Sequence, residues 1–133
     1  MTPTRLDEFD RQPHAVARGR SAEAAAVAFL EERGYRVVER NHLNDAGEID
    51  LIADEGGTRC FVEVKAVRDL RYGPAVARVD ARKQRRVARA AALYLAETGW
   101  EGPCRFDVLG LEPEAGEWRY ELVRDAFDAP ASW

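Results

Sequence analysis

The sequence predicts an α/β fold, a mixed sheet flanked by helices, and three observations lead there. Two stretches with helical periodicity alternate with short strand-like segments, in the order α-β-β-β-α-β-β. Glu55-Gly56-Gly57 joins two of those segments as a hairpin. A long helix then precedes the segment at Cys104, so that strand is reached by a crossover and the sheet is mixed. The α+β class is the neighbouring alternative, which this pattern barely separates from α/β.

Residues 1–18 are polar, mixed in charge and contain two prolines, the composition of a flexible N-terminal tail. The domain then spans 19–127, and 128–133 form a C-terminal tail in which Trp133 is expected to pack or meet a partner. Ser21 is the expected N-cap of a first helix, Ala22, Ala26, Phe29 and Leu30 its apolar stripe, and Gly34 its C′ residue. Tyr35 to Asn41 is a short strand, followed by the hairpin strands Glu48 to Asp54 and Thr58 to Ala66. Pro74 and the apolar residues from Val76 to Leu95 open a longer helix that Gly99 ends. Cys104 to Glu112 and Trp118 to Arg124 are strands about a turn at Pro113 to Gly116.

At 133 residues, 46% hydrophobic and 33% charged, the chain is one globular domain and not a disordered one. No apolar run reaches the ~20 residues of a membrane span, and Met1 to Arg20 lacks the apolar centre of a signal peptide. Cys60 and Cys104 form no CxxC pair. A reduced, cytoplasmic protein with no membrane partner is expected.

The net charge of −4 argues against a protein that coats nucleic acid non-specifically. Its distribution is uneven, however: residues 66–89 carry 8 basic and 2 acidic side chains, while both flanking segments are acidic. A directed nucleic-acid face therefore stays open. Of the 20 basic residues only Lys65 and Lys83 are lysines. Where Arg supplies generic charge, these two positions ask what an ammonium does that a guanidinium cannot.

If Gly56-Gly57 is the turn centre, Asp54 faces Arg59, Ile52 faces Phe61, Asp50 faces Glu63 and Glu48 faces Lys65. Strict alternation then puts Glu48, Asp50, Glu63 and Lys65 on one face. Like charges directly opposed destabilise a sheet, so something positive should lie between Asp50 and Glu63. A divalent cation is one candidate, because Mg²⁺ is usually held by one or two carboxylates, and Lys65 is the other. The plainer reading is a solvated hairpin face with Lys65 pairing Glu48. Glu23 shares the helical phase of Ala26, Val27 and Leu30 and so leans toward the sheet, either into that cluster or as an edge residue paired with an Arg. Lys83 continues the line of Val79 and Val87, where an ammonium must snorkel or meet an acid.

Gly47-Glu48-Ile49-Asp50-Leu51-Ile52-Ala53 followed by Phe61-Val62-Glu63-Val64-Lys65 resembles the YraN family, bacterial proteins described as predicted endonucleases. Ala22-Glu23, Gly34-Tyr35, Arg40-Asn41, Gly73, Lys83, Tyr94-Leu95, Cys104 to Val108 and Ala126-Phe127 extend the similarity over about residues 19–127. That family is assigned to the PD-(D/E)XK nuclease superfamily and is similar to archaeal Holliday-junction resolvases. The resemblance implies a restriction-endonuclease-like αβββαβ core. It implies Mg²⁺ (or Mn²⁺) on Asp50, Glu63 and the Val64 carbonyl, with Lys65 orienting or activating water and Glu23 and Lys83 joining the catalytic set. An Arg in place of Lys65 would supply charge but no proton transfer.

The chain departs from the family pattern in places. Ala22 stands where a glycine is usual, and His42-Leu43-Asn44-Asp45 replaces a loop that is commonly aromatic and basic, with His42 read as a loop histidine. Val67 stands where an Arg is frequent. The last two changes remove positive charge beside the site.

Arg78, Arg82, Arg85 or Arg86, and Arg89 form a helical stripe that i,i+4 pairing does not explain. Together with Arg68 and Arg71 it is a candidate nucleic-acid-binding track. The expected function is a metal-dependent endonuclease acting on structured or branched DNA, working as a homodimer where two strands must be cut. The alternative is a non-catalytic nucleic-acid-binding or protein-interaction module on the same fold.

Overall fold

The computed structural model describes residues 15–129, with side chains from Ala22 onward. Its elements are α1 (Ala15–Glu32), β1 (Arg36–Asn44), β2 (Gly47–Glu55), β3 (Thr58–Ala66), a 3₁₀ turn (Ala75–Arg78), α2 (Ala81–Thr98), β4 (Cys104–Glu114) and β5 (Glu117–Phe127). The strands form one sheet in the order β1-β2-β3-β4-β5. Every neighbouring pair is antiparallel except β3–β4, which is parallel. The crossover through α2 produces that parallel pair, and the fold is α/β as expected.

Gly34 terminates α1 in a left-handed conformation, φ +96°. The Tyr35 N–H reaches the Leu30 carbonyl and the Gly34 N–H the Glu31 carbonyl, the paired bonds of a Schellman cap. The start of α1 differs from expectation. The chain is already helical at Ala15, the first described residue and six residues before Ser21, because Ala15-Val16-Ala17 is compatible with helix and Ser carries only a mild interior penalty. Residues 15–18 thus leave the predicted tail, whereas 1–14 and, at the other end, 130–133 with Trp133 lie outside the described residues.

The β2–β3 hairpin has the expected register, from Glu55↔Thr58 to Leu51↔Val62. Gly56 and Gly57 take φ +58° and +87°, the positive values a two-residue hairpin loop of the primed kind requires. On one face, Ala26, Val27 and Leu30 of α1 pack against Leu51, Val62 and Leu109. On the other, Val87, Ala91 and Tyr94 of α2 pack against Ile52, Phe61 and Phe106.

The second helix, by contrast, starts later than expected. Pro74 opens only the 3₁₀ turn, and α2 begins after Asp80, whose Oδ1 accepts the Lys83 N–H at 2.9 Å. Asp80 has an extended backbone and is a better cap than anything at Pro74. Gly110 in β4 permits the 3₁₀ turn to lie close to the sheet, since a Cβ there would fall 2.9 Å from Val76 Cγ1. Gly99 ends α2 at φ +71°. Three strands run at least two residues further than expected, β1 through His42 to Asn44, β4 through Pro113 to Glu114 and β5 to Phe127, so His42 is a strand residue and not a loop residue.

Candidate active site

Pairing between β2 and β3 stops at Leu51↔Val62. Instead of continuing the ladder, Asp50 turns its Oδ2 to the Val64 N–H, 2.9 Å away. On the opposite side of β2, the pairs Arg40↔Leu51 and His42↔Ile49 set Asn41 across from Asp50. Asn41 is left-handed, φ +52°, a conformation Asn tolerates better than most residues. Alternation in β2 breaks at the same level: Ile49 and Ile52, three apart, both enter the core under α2. Asp50 therefore leaves the regular strand, and Glu48 does not share its face as strict alternation predicts. Glu48 is exposed and pairs through its backbone with Leu43.

Glu63 is 5% exposed and continues the line of Phe61 on the α2 side of β3. The Lys83 ammonium sits 3.2 Å from Glu63 Oε2. Burial, and then the Asp50 charge, push the Glu63 carboxyl up to about 8, against the pull of Lys83. Asp50 is also raised, by burial first, with Glu23 adding to the effect and the Val64 N–H and Lys83 opposing it. Two carboxyls that cannot comfortably ionise together make this the candidate site of the molecule.

Asp50, Glu63, Val64, Lys65, Arg78, Arg82, Lys83 and Arg86 line a single cleft of about 480 Å³, with Val79 and Asp80 completing its wall. Lys65 is half-buried there and has no ion-pair partner among the described residues. It therefore takes neither of its expected partners, and Lys83 supplies the ammonium beside Glu63 instead. Arg82 and Arg86 are exposed, and Arg86 rather than Arg85 faces the cleft. Arg78 is half-buried and spends its guanidinium on the Asp69 and Gly73 carbonyls, at 3.0 and 3.4 Å. Arg68, Arg71 and Arg89 are exposed but lie off the cleft, so the basic track is narrower than the stripe.

Glu23 is half-buried and does not line the cleft. Its Oε2 accepts a hydrogen bond from Asn41 Nδ2, and it reaches the site through its charge on Asp50. Among the described residues no three His, Cys, Asp or Glu side chains come together as a metal cluster. What the chain offers is two hard, mutually repelling carboxylates in a polar cleft, the complement from which Mg²⁺ is commonly held with water filling the remaining positions. The donor set fits such an ion.

Sequence reasoning missed a polar network at the other end of the sheet. Asp107 is fully buried and accepts from the Tyr35 hydroxyl at 2.8 Å, Arg105 Nε at 2.9 Å and the Asp125 N–H at 2.9 Å. Arg105 and Arg124 both bind Glu55, and Arg124 foremost holds its carboxyl down at about 2. Neither the pairing of Tyr35 with Asp107 nor that of Glu55 with Arg124 has a local sequence signal.

Fold and cleft together define a small α/β protein in which adjoining strands present two carboxylates to a basic helix. No described helix is long and apolar enough to cross a membrane. The chain belongs to the uncharacterised protein family UPF0102, whose model matches residues 22–111. A UPF0102 protein of Symbiobacterium thermophilum is 51% identical over 113 residues, covering 84% of this chain and 96% of its own. UPF0102 proteins of Chlorobium chlorochromatii and Pseudomonas syringae are each 43% identical, covering 82% and 84% of this chain and 89% and 93% of their own.

Proposed function

We propose that this chain is a metal-dependent endonuclease of the PD-(D/E)XK superfamily, similar to Holliday-junction resolvases, that hydrolyses phosphodiester bonds in structured or branched DNA. The observation that carries the reading is the pair Asp50 and Glu63 raised together in a cleft that Lys83, Arg82 and Arg86 also line. Asp50 and Glu63 would hold Mg²⁺ or Mn²⁺, with Val64 beside them. A bound divalent cation supplies Lewis acidity and charge neutralisation at the phosphodiester.

The remaining work falls to the protein. The Val64 N–H holds Asp50 Oδ2 and so positions the carboxylate in the wall of the cleft. Lys65, without a competing carboxylate among the described residues, is free to orient the attacking water and offset charge on the phosphate. Arg82 and Arg86 bind the flanking phosphates electrostatically. Glu23 keeps Asn41, and through it the turn of β2 at Asp50, in register. One such cleft cuts one strand, so resolving both arms of a junction requires a homodimer.

The test is a panel of single-stranded, duplex, flapped and four-way DNA with Mg²⁺ or Mn²⁺. Cleavage should fall by about a hundredfold or more in Asp50→Ala, Glu63→Ala and Lys65→Ala, the scale on which catalytic groups act. Metal-dependent cleavage that survives Asp50→Ala and Glu63→Ala refutes the reading. A second reading, a non-catalytic nucleic-acid-binding or protein-interaction module, draws on one observation: Lys83 Nζ at 3.2 Å already offsets the Glu63 charge without a metal. DNA binding with no cleavage of any substrate would favour it.

A further inference from the structure

Tyr72 is 74% exposed and Leu70 47% exposed, in the segment between β3 and the 3₁₀ turn. Leu70 to Gly73 form a β-turn, closed by the Gly73 N–H on the Leu70 carbonyl at 3.0 Å, with Gly73 at φ +93°. Arg71 and Tyr72 occupy its two central positions. The turn is braced from both sides: Asp69 Oδ1 accepts the Arg71 N–H at 2.9 Å, and Arg78 grips the Asp69 and Gly73 carbonyls. Arg78 also stands 5.7 Å from the centroid of the Tyr72 ring, and Arg71 stands 5.9 Å from it. Because Arg78 lines the cleft that holds Asp50 and Glu63, the ring lies one side chain beyond the proposed cutting site.

An aromatic ring held in water by a hydrogen-bonded turn contributes little to folding. Its surroundings are net cationic, Arg68, Arg71 and Arg78 against Asp69, which Arg71 approaches to 3.9 Å, so the face suits an anionic chain that also carries flat apolar groups. We propose that Tyr72 is a stacking platform for an unpaired nucleobase beside the phosphate in the cleft. The inference rests on the phosphodiesterase reading and narrows it to a substrate class: DNA with unpaired nucleotides at the cut, such as a flap or branch point, rather than continuous duplex. In continuous duplex each base already stacks on its neighbours and has no face to offer.

The test uses oligodeoxynucleotides with 2-aminopurine at the first unpaired base of a flap, or at the same position in blunt duplex, titrated in Ca²⁺ instead of Mg²⁺. Parent protein and Tyr72→Phe should quench the flap probe and bind it about tenfold or more tightly than Tyr72→Ala, the range of one stacked base. Duplex affinity should be the same for all three. Equal flap binding by Tyr72→Ala, equal losses on flap and duplex, or no binding of either DNA by the parent each overturns the inference. Cleavage is read separately in Mg²⁺. Stacking without cleavage overturns the phosphodiesterase reading alone, and parental flap cleavage by Tyr72→Ala with no quench in the parent overturns the stacking role alone.

Discussion

Glu63→Gln should make the metal-free protein more stable at high pH. The native carboxyl sits at about 8 against an ordinary 4.5, raised by burial and the Asp50 charge. A group that holds its proton more tightly in the folded state than in the unfolded one makes stability fall as pH rises. Below 4.5 it is neutral in both states and contributes nothing; above about 8 it is ionised in both, and the folded state bears the full penalty. At about 1.4 kcal/mol per tenfold difference, the gap between 4.5 and about 8 sets a ceiling of about 5 kcal/mol. Asp50 shares the pair's proton, so a loss of about 1–3 kcal/mol is expected. Urea unfolding in EDTA at pH 5 and pH 9 measures it as the difference between parent and Glu63→Gln. Lys83→Met, which removes the opposing ammonium, should deepen the loss. Under the proposed function Mg²⁺ restores part of it in the parent and none in Glu63→Gln. If parent and Glu63→Gln show the same pH slope, the electrostatics of the cleft are wrong.

Three substitutions probe the scaffold. Asp80→Ala removes the α2 cap that receives the Lys83 N–H and should lower stability by about 1 kcal/mol in urea titrations. Asp107→Ala strands the Tyr35 hydroxyl, the Arg105 guanidinium and the Asp125 N–H, and should cost about 3–5 kcal/mol, measured the same way. Gly110→Ala forces a Cβ to 2.9 Å from Val76 Cγ1, so a thermal melt should register a loss of about 1–3 kcal/mol. A neutral result there would mean that the 3₁₀ turn moves freely off the sheet.

Much of this protein was legible because short-range chemistry set it. Gly34, Gly56-Gly57 and Gly99 all lie at left-handed positions that only residues of their kind fill cheaply, so helix ends and hairpin register followed from local spacing. Lys83 stood out as a cation in an apolar line that must snorkel or meet an acid, and it meets Glu63. Helix starts were less legible: Ser21 resembles a boundary but lies inside α1, and Pro74 resembles one while Asp80 is the cap that α2 uses.

The details of the site were decided by the tertiary structure. Alternation along β2 holds only while the strand stays regular, and the left-handed Asn41 across from Asp50 marks where it stops. That break turns Asp50 onto the Val64 N–H, excludes Glu48, and leaves Lys65 unpaired among the described residues while Lys83 approaches from α2. Side-chain types and periodicity are local properties, written residue by residue. Which carboxylate meets which cation depends on how a helix 20 residues further on is laid across the sheet, and that is fixed by packing the whole core at once.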